Sequence, residues 1–175
     1  MTDKKKKIAV VLSGCGVYDG AEIHESVLVL LRLSQLNVDV QCMAPNVNQM
    51  HVVNHLTGEE MPESRNVLVE AARIARGNII DIAKANPADY DAVIFPGGFG
   101  AAKNLCDFAV KGPQMTLNKD VASFARAIQA AGKPVGLVCI SPAMAPMLLG
   151  EGTECTIGTD ADTAKAIEAM GGKHK

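Results

Sequence analysis

The sequence predicts an α/β domain built on a doubly wound, mostly parallel sheet. Short apolar runs rich in β-branched residues recur along the chain, each followed by a glycine-rich turn or a stretch with helical periodicity. Such continuous runs are typical of strands buried on both faces. The chain has 175 residues, 48% of them apolar, which is enough for one domain with a filled core.

The first half of the chain opens with a strand, a glycine turn, a helix and a second strand. Residues 8–12 (IAVVL) form the first apolar run, and residues 38–43 form the second, which stops at Pro45. Between them, residues 21–36 have helical periodicity. Their apolar stripe consists of Ile23, Val27, Leu30, Leu31 and Ser34. Residues 46–64 lack a clear period, so we expect a long loop there.

The second half repeats this pattern. Residues 66–76 are again helical, and Ile79 and Ile80 are enough for a short strand. The apolar run of residues 92–95 (AVIF) predicts a buried strand. The remaining elements are a helix over 118–131 that stops at Gly132, a strand over 134–138, a helix over 142–149, a strand near 155–157 and a helix over 160–170. Without a repeat or a linker, residues 1–175 are expected to form a single domain.

Composition argues against several classes of partner. The net charge is −2 and the pI is about 6.1, so we expect no nucleic-acid partner. The basic run over residues 4–7 is predicted to be a solvated tail. No apolar stretch approaches the roughly 18 residues of a membrane helix, so we expect no membrane partner. Residues 13–16 fit a turn better than a signal-peptide cleavage site, so we expect a cytoplasmic protein or one already stripped of a targeting segment.

The cysteines point to free thiols in a reducing compartment. They are odd in number and widely spaced, and the four histidines complete no zinc spacing, so we expect neither disulfides nor a metal site. Taken alone, each cysteine is expected to be a small buried apolar residue. The five are Cys15, Cys42, Cys106, Cys139 and Cys155.

Cys139 lies where a nucleophile elbow would place a reactive residue. Residues 136–143 (GLVCISPA) lead a buried strand through one sharp turn into a helix. The thiol would then lie at a helix N-terminus, whose dipole stabilises a thiolate, and the Ile140 N–H would face an oxyanion. The glycine that usually follows such a nucleophile is absent, and ordinary core packing stays the alternative.

Acidic groups at the start of the first helix are the proton partners available to this thiol. Glu22 and Glu25 lie one turn apart on one face, with His24 between them. Periodicity does not decide which of these three side chains faces the sheet edge. Cys15, in the preceding turn, either joins the site or only fills space.

Two glycine turns are candidate ligand loops. Gly14, Gly16 and Gly20 are close to a dinucleotide fingerprint, but the second strand lacks the acidic residue that would hold a ribose, so a tight turn is favoured. Gly97 and Gly98 end a central strand at the edge where open α/β sheets bind ligands, and their N–H groups can face an anion. A turn with positive φ explains this pair equally well.

Five blocks of the sequence resemble the ElbB family, the enhancing-lycopene-biosynthesis proteins. The blocks are residues 12–25 (LSGCGVYDGAEIHE), 55–58 (HLTG), 64–68 (SRNVL), 95–105 (FPGGFGAAKNL) and 156–160 (TIGTD). The resemblance covers nearly the whole chain. That family belongs with the PfpI proteases and the parkinsonism-associated deglycase-like proteins in the class I glutamine-amidotransferase-like superfamily. The resemblance implies a flavodoxin-like three-layer sandwich, a homodimer and no cofactor.

The resemblance also implies roles for individual residues. Cys139 matches the superfamily nucleophile, and Glu25 matches the acidic residue that hydrogen-bonds it, which selects Glu25 over Glu22. Gly97 and Gly98 match the turn on the oxyanion side. The histidine that many members carry after the cysteine is absent, which argues against amidotransferase and protease chemistry. Family members usually continue past a motif that ends near His174, so we expect the family's C-terminal segment to be missing.

For function, the resemblance implies a cofactor-independent glyoxalase, a lyase that converts glyoxal or methylglyoxal into the hydroxy acid. Cys139 would add to the aldehyde, and Glu25 would move a proton between the two carbons through an enediol. Gly98 and Ile140 would hold the oxyanion. The alternative is a non-catalytic interaction or redox-sensing protein associated with isoprenoid metabolism, which an exposed low-pKa thiol would suit.

Overall fold

A computed structural model describes residues 5–175. Its strands are β1 (Lys7–Val11), β2 (Asp39–Ala44), β3 (Val52–Val53), β4 (Glu60–Met61), β5 (Ile79–Asp81), β6 (Ala92–Phe95), β7 (Val135–Leu137), β8 (Glu154–Cys155) and β9 (Lys173–His174). Its α-helices are α1 (Ile23–Gln35), α2 (Val67–Ala75), α3 (Phe99–Lys103), α4 (Phe108–Lys111), α5 (Lys119–Ala130), α6 (Ala145–Leu149) and α7 (Ala161–Ala169). None of the helices described in this range is long and apolar enough to cross a membrane.

The main sheet has five parallel strands in the order β5-β2-β1-β6-β7. β1 pairs with β2 along its whole length, from Lys7 opposite Asp39 to Val11 opposite Met43. Apart from the edge strand β5, the order β2-β1-β6-β7 is the beginning of the flavodoxin-like order. The predicted fold class is therefore confirmed.

Different helices cover the two faces of the sheet, which gives three layers. Ile8 and Val10 of β1 point into a buried cluster with residues of α1 and α2, whereas Ala9 and Val11 point into a cluster with residues of α5. Successive side chains of a strand alternate between faces, so both faces of β1 are buried. This is why the first apolar run is continuous rather than alternating.

Only Leu30 of the apolar stripe predicted for α1 packs on the sheet. Ile23, Val27 and Leu31 are 43%, 49% and 51% exposed, whereas Ser26 and Leu33 are buried. Ser26 tolerates burial because its hydroxyl donates to the Glu22 backbone carbonyl oxygen, one turn earlier in the chain, at 2.6 Å. The face of α1 that packs on the sheet is therefore shifted by about one residue from the predicted stripe.

Several predicted elements have different ends or partners. The loop predicted over residues 46–64 contains the antiparallel hairpin β3–β4. The strand predicted near residues 155–157 is β8, which pairs with β9 in a small sheet of its own instead of extending the main sheet. The helix predicted over residues 142–149 begins as a 3₁₀ turn, Ser141–Met144, and continues as α6.

The basic run at residues 4–7 only partly matches the predicted tail. Lys4 lies outside the described residues. Lys6 pairs with Asp91 at 3.0 Å, and the Lys7 N–H donates to the same carboxylate at 2.9 Å as β1 begins. The end of the run is therefore fixed to the sheet.

The connectivity creates a crevice between β1 and β6. The chain runs outward from β1 to β2 and β5 and then returns to β6 on the other side of β1. In open α/β sheets, ligands bind at the carboxyl ends of the strands where the winding direction changes. The loops after β1, β6 and β7 meet at this place.

Candidate active site

Cys139 lies at the sharp turn that follows β7. Its φ is 57°, in the left-handed region that residues other than glycine rarely adopt. Ser141 fixes the turn, because its hydroxyl donates to the Pro96 carbonyl oxygen at 2.9 Å and its N–H donates to the Val138 carbonyl oxygen at 3.0 Å. Cys139 is exposed while Ser141 is fully buried. The structure thus presents this thiol at an elbow, above the sheet edge.

Glu25 reaches the elbow from the first turn of α1. Its Oε2 accepts the Gly97 N–H at 2.9 Å, and its carboxylate lies against the Cys139 thiol. Glu22 turns back instead and caps the helix, since its Oε2 accepts the Glu25 N–H at 2.6 Å. Of the two carboxylates that periodicity left open, Glu25 faces Cys139 and Glu22 holds the helix end.

Gly97 lies beside both Cys139 and Glu25, and the site leaves no room for a side chain at this position. A Cβ atom at this position would overlap the Cβ of Cys139 and the Oε2 of Glu25, and it would lie 3.0 Å from the Cys139 Sγ. The Gly97 carbonyl oxygen also accepts the Glu22 N–H at 2.9 Å. Both polar groups of the Gly97 backbone are therefore tied to α1.

The Cys139 thiol has a raised pKa, which contradicts the predicted dipole-stabilised thiolate. Partial burial raises the pKa, and Glu25 raises it further through a hydrogen bond and through its charge. The N–H groups of Gly98 and Ile140 lower the pKa but do not outweigh these effects. The segment after the elbow is a short 3₁₀ turn, which offers little aligned dipole. Cys139 therefore rests as a thiol, beside a carboxylate that can take its proton.

The predicted oxyanion group needs one correction. The N–H groups of Gly98 and Ile140 both face the Cys139 sulfur, where an oxyanion formed by attack would develop. The Gly97 N–H is already used, because it donates to Glu25. Gly97 is therefore placed to position Glu25, and Gly98 and Ile140 remain as the donor pair.

A cavity of about 310 Å³ opens at Cys139. Val17, Phe99 and Ile157 give its described lining an apolar character, and its polar side chains are those of Cys139, Asp160 and Thr163. Asp160 caps α7 by accepting the Thr163 N–H at 2.7 Å, and hydrogen bonds from Thr163 lower the pKa of Asp160. The cavity therefore contains an anionic group but no cationic side chain among its described lining residues.

His24 and Cys15, the two further candidates for the rim of the site, are not brought to it. The His24 side chain is 91% exposed, with Nδ1 3.6 Å from the Glu22 Oε1. Cys15 is half-buried against Gly20, and burial and Glu70 raise its pKa. Neither lines the cavity at Cys139. Periodicity left both residues open, because they lie close in sequence to site residues while their side chains point elsewhere.

His174, Cys42 and Cys106 have structural surroundings. The His174 Nε2 accepts the Ile157 N–H at 3.1 Å, which braces one wall of the cavity. Cys42 and Cys106 are buried, and burial raises their pKa to about 11 and about 12. Within residues 5–175, no group of three or more His, Cys, Asp or Glu side chains is placed to hold a metal ion.

The glycine loop after β1 forms a tight turn that is locked onto the turn after β6. Gly14 and Gly16 have φ values of 115° and 136°. The Gly20 carbonyl oxygen accepts the Gly100 N–H at 2.9 Å. The carboxylates of Glu22 and Glu25 lie at the start of α1, where a dinucleotide phosphate would have to bind. The turn interpretation therefore fits, and the nucleotide alternative does not.

Buried polar residues that no sequence pattern singled out hold these loops together. The Asn104 Nδ2 donates to the carbonyl oxygens of Ser13 and Asp19 at 2.8 and 2.9 Å, and its Oδ1 accepts the Met50 N–H at 2.9 Å. The Asp19 Oδ2 accepts the Val53 N–H at 2.8 Å. The hairpin region is thereby joined to the crevice.

The parallel sheet and the cysteine elbow at its crevice define an α/β domain of the class I glutamine-amidotransferase-like type. No protein-family model matches the chain. The chain is 51% identical over 178 residues to the human glutamine amidotransferase-like class 1 domain-containing protein 3, mitochondrial, and 48% identical over 180 residues to the ES1 protein homolog, mitochondrial, of Rattus norvegicus. It belongs to this family of ES1 and glutamine amidotransferase-like class 1 domain-containing proteins.

The alignments cover 96% and 97% of the chain but 66% and 67% of the two relatives. The chain thus spans about two thirds of their length. A solved structure of an isoprenoid biosynthesis protein with an amidotransferase-like domain from Ehrlichia chaffeensis has a TM-score of 0.89 at 42% identity, over 97% of this chain and 78% of that one. Glyoxalase III from Candida albicans has a TM-score of 0.59 at 17% identity, over 97% and 82% of the chains, which shows a shared fold alone.

Proposed function

We propose that this protein is a cofactor-independent glyoxalase of the ElbB type, which converts glyoxal or methylglyoxal into the hydroxy acid. The observation that carries the proposal is the contact between the Glu25 carboxylate and the Cys139 thiol at the crevice. The ElbB assignment draws support from the Ehrlichia chaffeensis protein, which is named for isoprenoid biosynthesis. The glyoxalase assignment is compatible with the fold shared with glyoxalase III.

The first step forms a bond between the Cys139 sulfur and one aldehyde carbon. The raised pKa of Cys139 means that little thiolate exists beforehand, so Glu25 takes the thiol proton as the sulfur attacks. The aldehyde oxygen becomes an oxyanion, which the N–H groups of Gly98 and Ile140 stabilise. Glu25 then gives its proton to this oxygen, which yields a hemithioacetal and restores the Glu25 carboxylate.

The second step moves a hydrogen between the two carbons. Glu25 removes the C–H proton from the carbon attached to sulfur, and the electron pair forms an enediolate. Return of a proton to the neighbouring carbon gives a thioester, so the first carbon is oxidised and the second reduced. Water then cleaves the thioester, and the sum is glyoxal plus water giving glycolate. No amine departs, so the reaction requires no histidine beside Cys139.

The redox-sensing alternative has weaker support. Oxidation of a cysteine begins with its thiolate, and the pKa of Cys139 is raised rather than lowered.

The dicarbonyl substrate and the homodimer belong to the proposal and stay predictions. The cytoplasmic location gains no support, because both sequence relatives are named as mitochondrial. For this chain we propose a reducing compartment that keeps its thiols free.

The test of the reaction is the fate of hydrogen when glyoxal is turned over in D₂O. We expect glycolate to form, observed by proton NMR in an amine-free buffer, with one solvent deuterium on its C2 carbon. The reason is that the proton held by Glu25 exchanges with solvent before it returns to carbon. Glycolate without solvent deuterium would exclude the enediolate step, and the absence of glycolate would refute the proposed activity.

A further inference from the structure

A second cavity, of about 760 Å³, adjoins the cavity at Cys139. Phe99, Ile140 and Thr163 line both cavities. A ligand held at Cys139 can therefore extend past these three residues. Glyoxal and methylglyoxal are far too small to occupy both spaces, so the combined volume suits a longer molecule.

The second cavity contains a cation with no carboxylate partner. The Lys103 Nζ donates to the Tyr18 carbonyl oxygen at 2.6 Å and lies 5.5 Å from the centre of the Phe99 ring. None of the ion pairs found within residues 5–175 includes Lys103. Burial lowers the pKa of Lys103, although Asp19 and Glu60 oppose this shift. An ammonium has three N–H donors, so Lys103 can still donate to a ligand.

His51, in the same lining, has an unpaired ring nitrogen. Its Nε2 is buried and has no hydrogen-bond partner, while its Nδ1 lies 3.8 Å from the Glu60 Oε2. A buried polar atom without a partner is unfavourable, and a ligand atom in the cavity would satisfy it. Either ring nitrogen of a histidine can carry a hydrogen, so Nε2 can donate to a ligand. Lys103 and His51 are thus two donors in one cavity.

We propose that the second cavity binds the anionic end of an elongated aldehyde, whose carbonyl carbon lies at Cys139. Lys103 and His51 bind a carboxylate or phosphate, and the shared residues Phe99 and Ile140 contact the apolar middle of the molecule. The placement of the carbonyl carbon at Cys139 rests on the proposed glyoxalase reaction. Charge sets the orientation. The cavity at Cys139 contains the Asp160 carboxylate without a cationic side chain, whereas the Glu60 carboxylate of the second cavity is accompanied by Lys103 and His51.

The test is equilibrium binding to the Cys139→Ala variant, in which no covalent step occurs. The probes are ω-oxo carboxylates of increasing chain length, their uncharged methyl esters and the corresponding ω-oxo alkyl phosphates, measured by titration calorimetry. We expect one acid or phosphate of the series to bind about tenfold or more tightly than the ester of the same length. Lys103→Met should remove this preference, and Lys103→Arg should retain part of it.

Two further variants separate binding from misfolding. Lys84→Met removes an exposed lysine elsewhere and should leave the preference intact, and His51→Leu should weaken it without touching the Lys103 bond to Tyr18. Equal binding of acid, phosphate and ester at every length would overturn the proposal, as would an unchanged preference in a folded Lys103→Met variant. A protein that shows the preference but forms no glycolate would refute the proposed reaction alone.

Discussion

Replacing Gly97 with alanine is expected to lower turnover at least about 100-fold and the free energy of unfolding by about 3 kcal/mol. The added Cβ would overlap both the Cβ of Cys139 and the Oε2 of Glu25, so the two reacting groups must separate. The Gly97 N–H would also lose its alignment with the Glu25 carboxylate. Steady-state glycolate formation and urea unfolding measure the two effects.

Gly136→Ala is the matched control for this change. Gly136 lies in the neighbouring strand β7, and a Cβ there would meet nothing closer than the Ile94 Cγ1, at an ordinary 3.4 Å. We expect this variant to retain turnover and to change the free energy of unfolding by no more than about 1 kcal/mol. If Gly97→Ala behaved like Gly136→Ala, the close contact of Cys139 with Glu25 would be wrong.

Replacing Glu25 with glutamine is expected to move turnover and thiol reactivity in opposite directions. Turnover should fall by about 10²- to 10⁴-fold, because glutamine cannot take the thiol or C–H proton. The amide oxygen can still accept the Gly97 N–H, so the elbow is preserved. Loss of the carboxylate removes an interaction that raises the pKa of Cys139, so more thiolate forms at a given pH.

The predicted change in thiol reactivity is measured from the pH dependence of Cys139 alkylation. The rate of Cys139 modification by iodoacetamide should rise with pH in both proteins, and in Glu25→Gln the rise should occur at lower pH. Glu22→Gln is the control, since its amide oxygen can still accept the Glu25 N–H and Glu22 does not face the thiol. Unchanged turnover in Glu25→Gln would remove Glu25 from the mechanism, and unchanged alkylation would show that it does not contact Cys139.

The parallel sheet was predictable because burial on both faces leaves a direct mark on the sequence. A run such as residues 8–12 has no polar alternate positions, which is the pattern of a strand covered by two layers of helices. The packing of α1 was not predictable in the same way. Ser26 is buried through a bond to its own helix backbone, and hydrophobicity gives no signal for such a position.

The elbow and the base were predictable in part, for different reasons. A strand, a sharp turn and a following helix indicate the position of Cys139, whereas the choice of Glu25 over Glu22 rested on a family resemblance. The raised pKa of Cys139 was missed, because it depends on contact with a carboxylate that is distant in sequence. Lys103, His51 and Asp160 were missed for the same reason, since their shared surroundings exist only in the folded chain.

Glycolate formation by the wild type, Cys139→Ala and Cys15→Ala, measured side by side, decides whether the elbow thiol performs the reaction. Cys15 lies in the adjacent loop but does not line the cavity, so its replacement controls for loss of a thiol near the crevice. Turnover should fall at least about a thousandfold in Cys139→Ala and persist in Cys15→Ala. Wild-type turnover in Cys139→Ala would contradict the account, since the reaction would then proceed without the elbow thiol.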